Sequence, residues 1–282
     1  MIEDRYSRQT LFHPIGSEGQ KLIRNKHVLL IGAGALGTGN AEALVRAGIG
    51  KLTVVDRDYV EWSNLQRQQL YNEEDARNRI PKAVAAKKRL LAINSTVNIE
   101  EHILDAMPEE MLRLAKNVDL IIDATDNFDT RMIINDISQK YSIPWIYGAC
   151  VGSYGISFTI LPGITPCLQC LIDTFPIGGM TCDTAGIISP AVSTVVAYQT
   201  TEALKILVED MVAHFDVSSQ TIRKDINQLA ERNLVRRTHG GIAPVSSMEN
   251  LPFDHRHNLN IAAKLAIAER TAKAIPDGSS LF

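Results

Sequence analysis

The stretch that decides the fold is His27-Val28-Leu29-Leu30-Ile31, which runs straight into Gly32-Ala33-Gly34-Ala35-Leu36-Gly37. The first part is an apolar run of the length of a buried strand. The second spells G-x-G-x-x-G. Gly32 permits the tight turn out of the strand, Gly34 lets a phosphate approach the backbone, and Gly37 lets the next helix pack close. That helix, from about Ala35 to Arg46, points its first N–H groups at an anion. Lys51 to Val55 reads as the next strand and ends at Asp56, about twenty residues past the glycines, where an acid holds a ribose hydroxyl. Strand, glycines, helix, strand and acid together predict a doubly wound, Rossmann-like α/β fold with a mostly parallel sheet and a nucleotide site. A glycine-rich turn without a ligand is the plain alternative, and the motif alone does not choose the nucleotide.

Working outward, the 282 residues suit one large domain or a domain with an appendage. With 45% hydrophobic and 22% charged residues, the composition is that of a globular protein in water. No apolar run is long enough to span a membrane, and Met1-Ile2-Glu3-Asp4-Arg5 has no signal-peptide pattern. Four cysteines make a disulfide framework a poor expectation and the cytoplasm the default. The net charge of −3 hides an asymmetry: residues 211–282 carry 9 Lys+Arg against 7 Asp+Glu, while residues 1–210 carry 20 against 25. All four cysteines precede residue 211 and four of the seven histidines follow it, so a junction is expected near residue 210.

Between Asp56 and the next helix lies a polar segment, Ser63-Asn64-Leu65-Gln66-Arg67-Gln68. Arg79-Ile80-Pro81-Lys82 then opens an alanine- and lysine-rich helix running to about Ile93, with Pro81 suited to its first turn. Lys82 falls at the positive end of that helix, where the dipole disfavours it, so it reads as a cation facing a ligand, with a solvated lysine the plain alternative. Val97 to Ile103 alternates like a strand. Val118 to Asp123 is an apolar parallel strand that ends in Ala124-Thr125-Asp126-Asn127. Ligands in open parallel sheets sit beyond the carboxyl ends of strands, which places Asp126 near the phosphates, where a carboxylate holds magnesium. A helix from about Thr130 to Tyr141 follows, then strands at Pro144–Ala149 and Gly155–Leu161, the latter read as antiparallel. Cys167 and Cys170 form a single C-x-x-C, half of a structural zinc site. Cys182 lies in a loop before an apolar helix at Ser189–Val208; a lone cysteine is more often inert than nucleophilic.

These residues resemble the ThiF/MoeB/HesA family of ubiquitin-activating-type adenylyltransferases, from Arg5 to about Glu209. The resemblance rests on RYSRQ, GAGALG, SNLQRQ, IPK, DATDN, TPCLQC and TCDTAG. It implies an ATP site with Gly34 and Ala35 against the nucleotide, Asp56 on the ribose, and Ser63, Asn64 and Arg67 along the phosphates. Lys82 would reach the phosphates too, Asp126 would hold magnesium with Asn127 beside it, and Arg8 would enter the site of a partner subunit in a homodimer. The implied reaction joins the C-terminal Gly-Gly carboxylate of a ubiquitin-like sulfur-carrier protein, of the thiamine or molybdopterin type, to the α-phosphate of ATP. The product is an acyl-adenylate, with pyrophosphate released. Cys182 matches a cysteine that takes part in sulfur transfer in the thiamine branch. An NAD-dependent oxidoreductase would use the same glycines and Asp56 but leaves Arg67, Lys82 and Asp126 without work. A tRNA-modifying dehydratase of the same superfamily also adenylates its substrate.

Past Glu209 the resemblance to that family stops, and with it the second C-x-x-C that would complete a zinc site. Residues 212–282 resemble instead an incomplete DeoR-type repressor: part of a winged helix-turn-helix over 210–245, then a linker and one helix over 246–282. Ser218 suits a helix N-cap. Ile222, Ile226 and Leu229 share one helical face, and Gln220, Arg223 and Asn227 the opposite one, with Thr221 and Lys224 alongside, as in a recognition helix. Leu234 to Gly241 reads as the basic wing. A solvated charged helix is the plain alternative. This part implies weak DNA binding, or a regulator that senses a nucleotide through its first domain.

Overall fold

The computed structural model describes residues 3–172, 185–208, 235–238 and 241–244. The chain divides into two compact units, Met1–Val217 and Ser218–Phe282. The first unit is built on a six-stranded sheet of β1 (His27–Ile31), β2 (Lys51–Val55), β3 (Asn98–His102), β4 (Leu120–Asp123), β5 (Trp145–Val151) and β6 (Tyr154–Ile160). The order across the sheet is β3-β2-β1-β4-β5-β6. The first five strands are parallel and β6 runs antiparallel to β5. Among the described residues the α-helices are α1 (Ser7–Thr10), α2 (Gly16–Asn25), α3 (Ala35–Ala47), α4 (Glu73–Arg77), α5 (Lys82–Ile93), α6 (Pro108–Leu114), α7 (Phe128–Tyr141), α8 (Leu168–Ile172) and α9 (Ser189–Leu207).

The apolar run of β1 is explained by burial on both faces of the sheet. Val28 and Leu30 pack with Leu44, Leu90 and Ala203 of α3, α5 and α9. Leu29 and Ile31 pack with Met111, Ile134 and Ile137 of α6 and α7. A strand covered on both sides has no polar face to alternate with. The chain thus leaves β1 toward one face through α3 and leaves the adjacent β4 toward the other through α7. That reversal opens a crevice at the carboxyl ends of β1 and β4.

The glycines are required by the turn itself. Gly32 has φ +94, and a Cβ there would fall 2.4 Å from the Ala124 carbonyl oxygen. A Cβ on Gly37 would fall 2.0 Å from the Gly32 carbonyl oxygen, so α3 could not close onto the loop. The Ala124 N–H donates to the Ile31 carbonyl at 2.8 Å, which binds the end of β4 to the start of the glycine loop.

Several sequence expectations need correction. Helix α6 has no counterpart in the sequence reading, although a β3-to-β4 crossover requires such an element. The strand read from Val118 begins at Leu120. Pro81 is the cap before α5 and not part of its first turn, with ψ 134 outside the helical range. The apolar helix read as Ser189–Val208 ends at Leu207, where the Val208 N–H reaches both the Leu204 and Ile206 carbonyls and tightens the last turn. In the second unit, β7 (Val235–Thr238) pairs antiparallel with β8 (Gly241–Pro244), within and just beyond the segment read as a wing.

Candidate active site

The site forms where the glycine loop meets the ends of β2 and β4. Asp56 sits just past β2. Its Oδ2 accepts the Ala33 N–H at 2.6 Å and its Oδ1 accepts the Asp58 N–H at 2.7 Å. Burial raises its carboxyl above the usual range, an effect that the Lys82 ammonium and those two backbone N–H groups oppose. The expected sugar-binding acid is therefore also the brace of the glycine loop.

Lys82 opens α5 as expected, but it faces Asp58. Its Nζ lies 3.0 Å from Asp58 Oδ2, with the lysine side chain 9% exposed and the aspartate 57%. Backbone pairing enforces this register: the Lys82 N–H donates to the Asp58 carbonyl at 2.9 Å and the Val60 N–H to the Ile80 carbonyl at 2.9 Å. The helix dipole that disfavours Lys82 is thus offset by a neighbouring carboxylate. Tyr71 completes the surround. It is buried, and its hydroxyl donates toward the Ala33 carbonyl at 2.7 Å and the Lys82 carbonyl at 3.2 Å. Sequence reasoning missed both Asp58 and Tyr71; the spacing D-x-D after β2 was the available signal for the first.

The polar segment folds as a short 3-10 turn, Trp62–Asn64. Asn64 is buried, and its Oδ1 accepts the Glu61 N–H at 3.0 Å, which shapes the turn. Arg67 donates to the Ser63 carbonyl at 2.9 Å. Gln68 comes nearest the glycine loop: its Nε2 lies 3.8 Å from where a Gly34 Cβ would be. Its buried Oε1 accepts no hydrogen bond.

On the other wall, Asn127 caps α7 by accepting the Thr130 N–H at 2.8 Å. Asp126 beside it is exposed. One exposed carboxylate working with substrate phosphates is how proteins commonly hold magnesium, so the residues present fit that ion. The loop is propped from below. Asp123, fully buried, accepts Arg131 Nε at 3.0 Å, and Arg131 Nη2 donates to the Thr125 and Gly148 carbonyls at 2.7 and 3.1 Å. Burial raises the Asp123 carboxyl, opposed by Arg131 and by the Thr125 hydroxyl and N–H. Gln199 of α9 adds a tie, donating to the Asp123 carbonyl at 2.9 Å.

Arg8 lies exposed in α1, away from these groups. Its neighbour Gln9 donates to the Ala47 carbonyl, at the far end of the 13-residue helix α3 from the glycine loop. That length is about 20 Å, beyond the reach of one side chain. Cys167 and Cys170 have their Sγ atoms 3.6 Å apart. Burial raises the Cys167 thiol, but hydrogen bonds from Cys170 and Gln169 outweigh this and the net shift is downward. Cys182, and Gln220, Thr221, Arg223, Lys224 and Asn227, lie outside the described residues. Two thiolates are half of a tetrahedral zinc shell. Little or no tightly held zinc is therefore expected after dialysis against a chelator, unless Cys182 or a histidine completes the shell; metal analysis giving one zinc per chain would contradict this.

Comparison with known proteins shows the family. Residues 6–239 match the model of the ThiF family. The sulfur carrier protein ThiS adenylyltransferase of Bacillus subtilis is 56% identical over 265 residues, covering 93% of this chain and 76% of the relative. The sulfur carrier protein adenylyltransferase of Thermus thermophilus is 37% identical over 211 residues, covering 72% of this chain and 77% of the relative. Among solved structures, Escherichia coli MccB with MccA-N7isoASN superposes with a TM-score of 0.65 at 23% identity, a likeness of fold. That match covers 73% of this chain, which spans 64% of the MccB chain. Both the family match and the Bacillus relative run past residue 209, where sequence reading ends the resemblance. Among the described residues, no helix is long and apolar enough to cross a membrane.

Proposed function

Because this chain belongs to the ThiF family, we infer that it is an ATP-dependent adenylyltransferase acting on the C-terminal carboxylate of a ubiquitin-like sulfur-carrier protein. The observation that carries this reading is the pairing of a nucleotide-type glycine loop, braced by Asp56, with the buried ammonium of Lys82. A carboxylate is already a nucleophile, so the site needs no general base. It must bring two anions into line and offset their repulsion. Lys82 and Arg67 place positive charge on the polyphosphate as the carboxylate oxygen attacks the α-phosphorus and the bond to pyrophosphate breaks. Magnesium, when bound by Asp126, supplies further charge neutralisation between the phosphates. That Arg8 cannot reach the glycine loop of its own chain supports a homodimer in which it enters the partner's site.

Incubation with ATP and a candidate carrier, read by intact-mass spectrometry, tests the reading. An AMP adduct at the carrier's C-terminus is expected with the wild type and absent when the terminal glycine is deleted. Nucleotide turnover stimulated by tRNA and by no carrier would favour the dehydratase reading instead.

For the tail, the proposal is weak and largely sequence-independent DNA binding through Gln220, Thr221, Arg223, Lys224 and Asn227. The hairpin at β7 and β8, which has the form of a wing, supports this reading. A winged helix-turn-helix without its first helix would have little stability to spare, so phosphate attraction would survive where base readout would not. Affinity for operator-like and scrambled duplexes is expected to be similar and to fall steeply with salt. Tight binding to one duplex that persists at high salt would mark an intact regulator, with the first domain as its nucleotide sensor.

A further inference from the structure

We propose that Tyr71 is a positioning residue for adenylyl transfer, whose hydroxyl ties the glycine loop to Lys82 and so sets the distance between the phosphate cradle and its ammonium. This rests on the reading of the site as an adenylyltransferase. The observation is a closed circuit of hydrogen bonds. The Ala33 N–H donates to Asp56, and Asp56 accepts the Asp58 N–H. The Asp58 carbonyl accepts the Lys82 N–H. The Tyr71 hydroxyl then reaches from the Lys82 carbonyl back to the Ala33 carbonyl, at 3.2 and 2.7 Å. Every other link is backbone or carboxylate; only this one is a neutral side chain that can be deleted without touching charge.

The ring of Tyr71 is seated in the core with Val60, Leu70, Ala76 and Ala83, so phenylalanine fits the same space. Burial pushes its hydroxyl well above the usual range, and it stays a donor throughout the working pH. Sub-ångström placement matters here because Lys82 must meet a polyphosphate whose charge is moving. Asp58 fixes the ammonium sideways; Tyr71 fixes the start of α5, which carries it, against the loop.

The test uses the full chain and the Tyr71→Phe substitution, alone and combined with Lys82→Ala. For the single variant, kcat for carrier-dependent pyrophosphate exchange is expected to fall about tenfold, with KM for ATP within about twofold. In the Lys82→Ala background, the same substitution is expected to cost less than about twofold, since the group it positions is gone. A residue that only stabilised the fold would lower the melting temperature and act alike in both backgrounds. A second readout needs no turnover: acylation of Lys82 by acetic anhydride, followed by peptide mass spectrometry, is expected to quicken in Tyr71→Phe. Unchanged labelling, kcat within twofold of wild type, or the full loss persisting in the Lys82→Ala background would each overturn the proposal. If the wild type exchanges no pyrophosphate with any carrier, the adenylyltransferase reading fails, and the labelling comparison still reports whether Tyr71 holds Lys82.

Discussion

Alanine at Arg67 or at Lys82 is expected to cut carrier-dependent pyrophosphate exchange about a hundredfold or more, a loss of about 3 kcal/mol for each transition-state donor removed. Removing either side chain leaves no buried charge unpaired. The Arg67 side chain bonds locally, to the Ser63 carbonyl. The partner of Lys82, Asp58, keeps most of its contact with water when the lysine is gone. Lys82→Met, which keeps the buried stem and loses the ammonium, separates packing from charge and is expected to be as inactive as the alanine variant. Near wild-type exchange in both alanine variants would remove the two cations from the reaction.

Arg131→Leu is expected to destabilise the protein by about 3–5 kcal/mol, because it leaves the carboxylate of Asp123 buried without its partner. Arg131 also holds the Thr125 and Gly148 carbonyls and lies over the Tyr147 ring, so the loop that carries Asp126 loses its support. The pH dependence has a defined sign. The folded-state carboxyl of Asp123 is raised above its unfolded value, primarily by burial. The native state then binds the extra proton, and stability falls as pH climbs from the ordinary aspartate range through the raised value. Without Arg131 to oppose it, that slope steepens. Urea melts of the variant at several pH values should show the loss deepening upward from acid pH; a loss that is flat with pH would mean that Asp123 is not what the arginine neutralises.

Half of this site was legible in the sequence because half of it is local. The glycine spacing, the apolar run of β1, the acid at the end of β2 and Lys82 at the head of α5 are all set by neighbours a few positions away. What escaped is what depends on distance along the chain. Tyr71 meets Ala33 across 38 positions, Gln199 meets Asp123 across 76, and Asn40 meets Gln199 across 159. No periodicity encodes such pairs. Asn64 shows a further side of this: motif resemblance offers it as a ligand contact, and its Oδ1 also closes the turn that it belongs to, a role the motif does not display. Helix α6 was missed because its seven residues are too few to display a helical period.

The most direct test of the central claim is isotope exchange between labelled pyrophosphate and ATP, run with the full chain and magnesium. One arm contains a sulfur carrier ending in Gly-Gly, one the same carrier without its last glycine, and one no carrier. The account predicts label in ATP only in the first arm, and loss of that signal with Arg67→Ala or Lys82→Ala. Exchange that ignores the carrier's C-terminus, or a nucleotide site that binds ATP and exchanges nothing with any carrier, would contradict it.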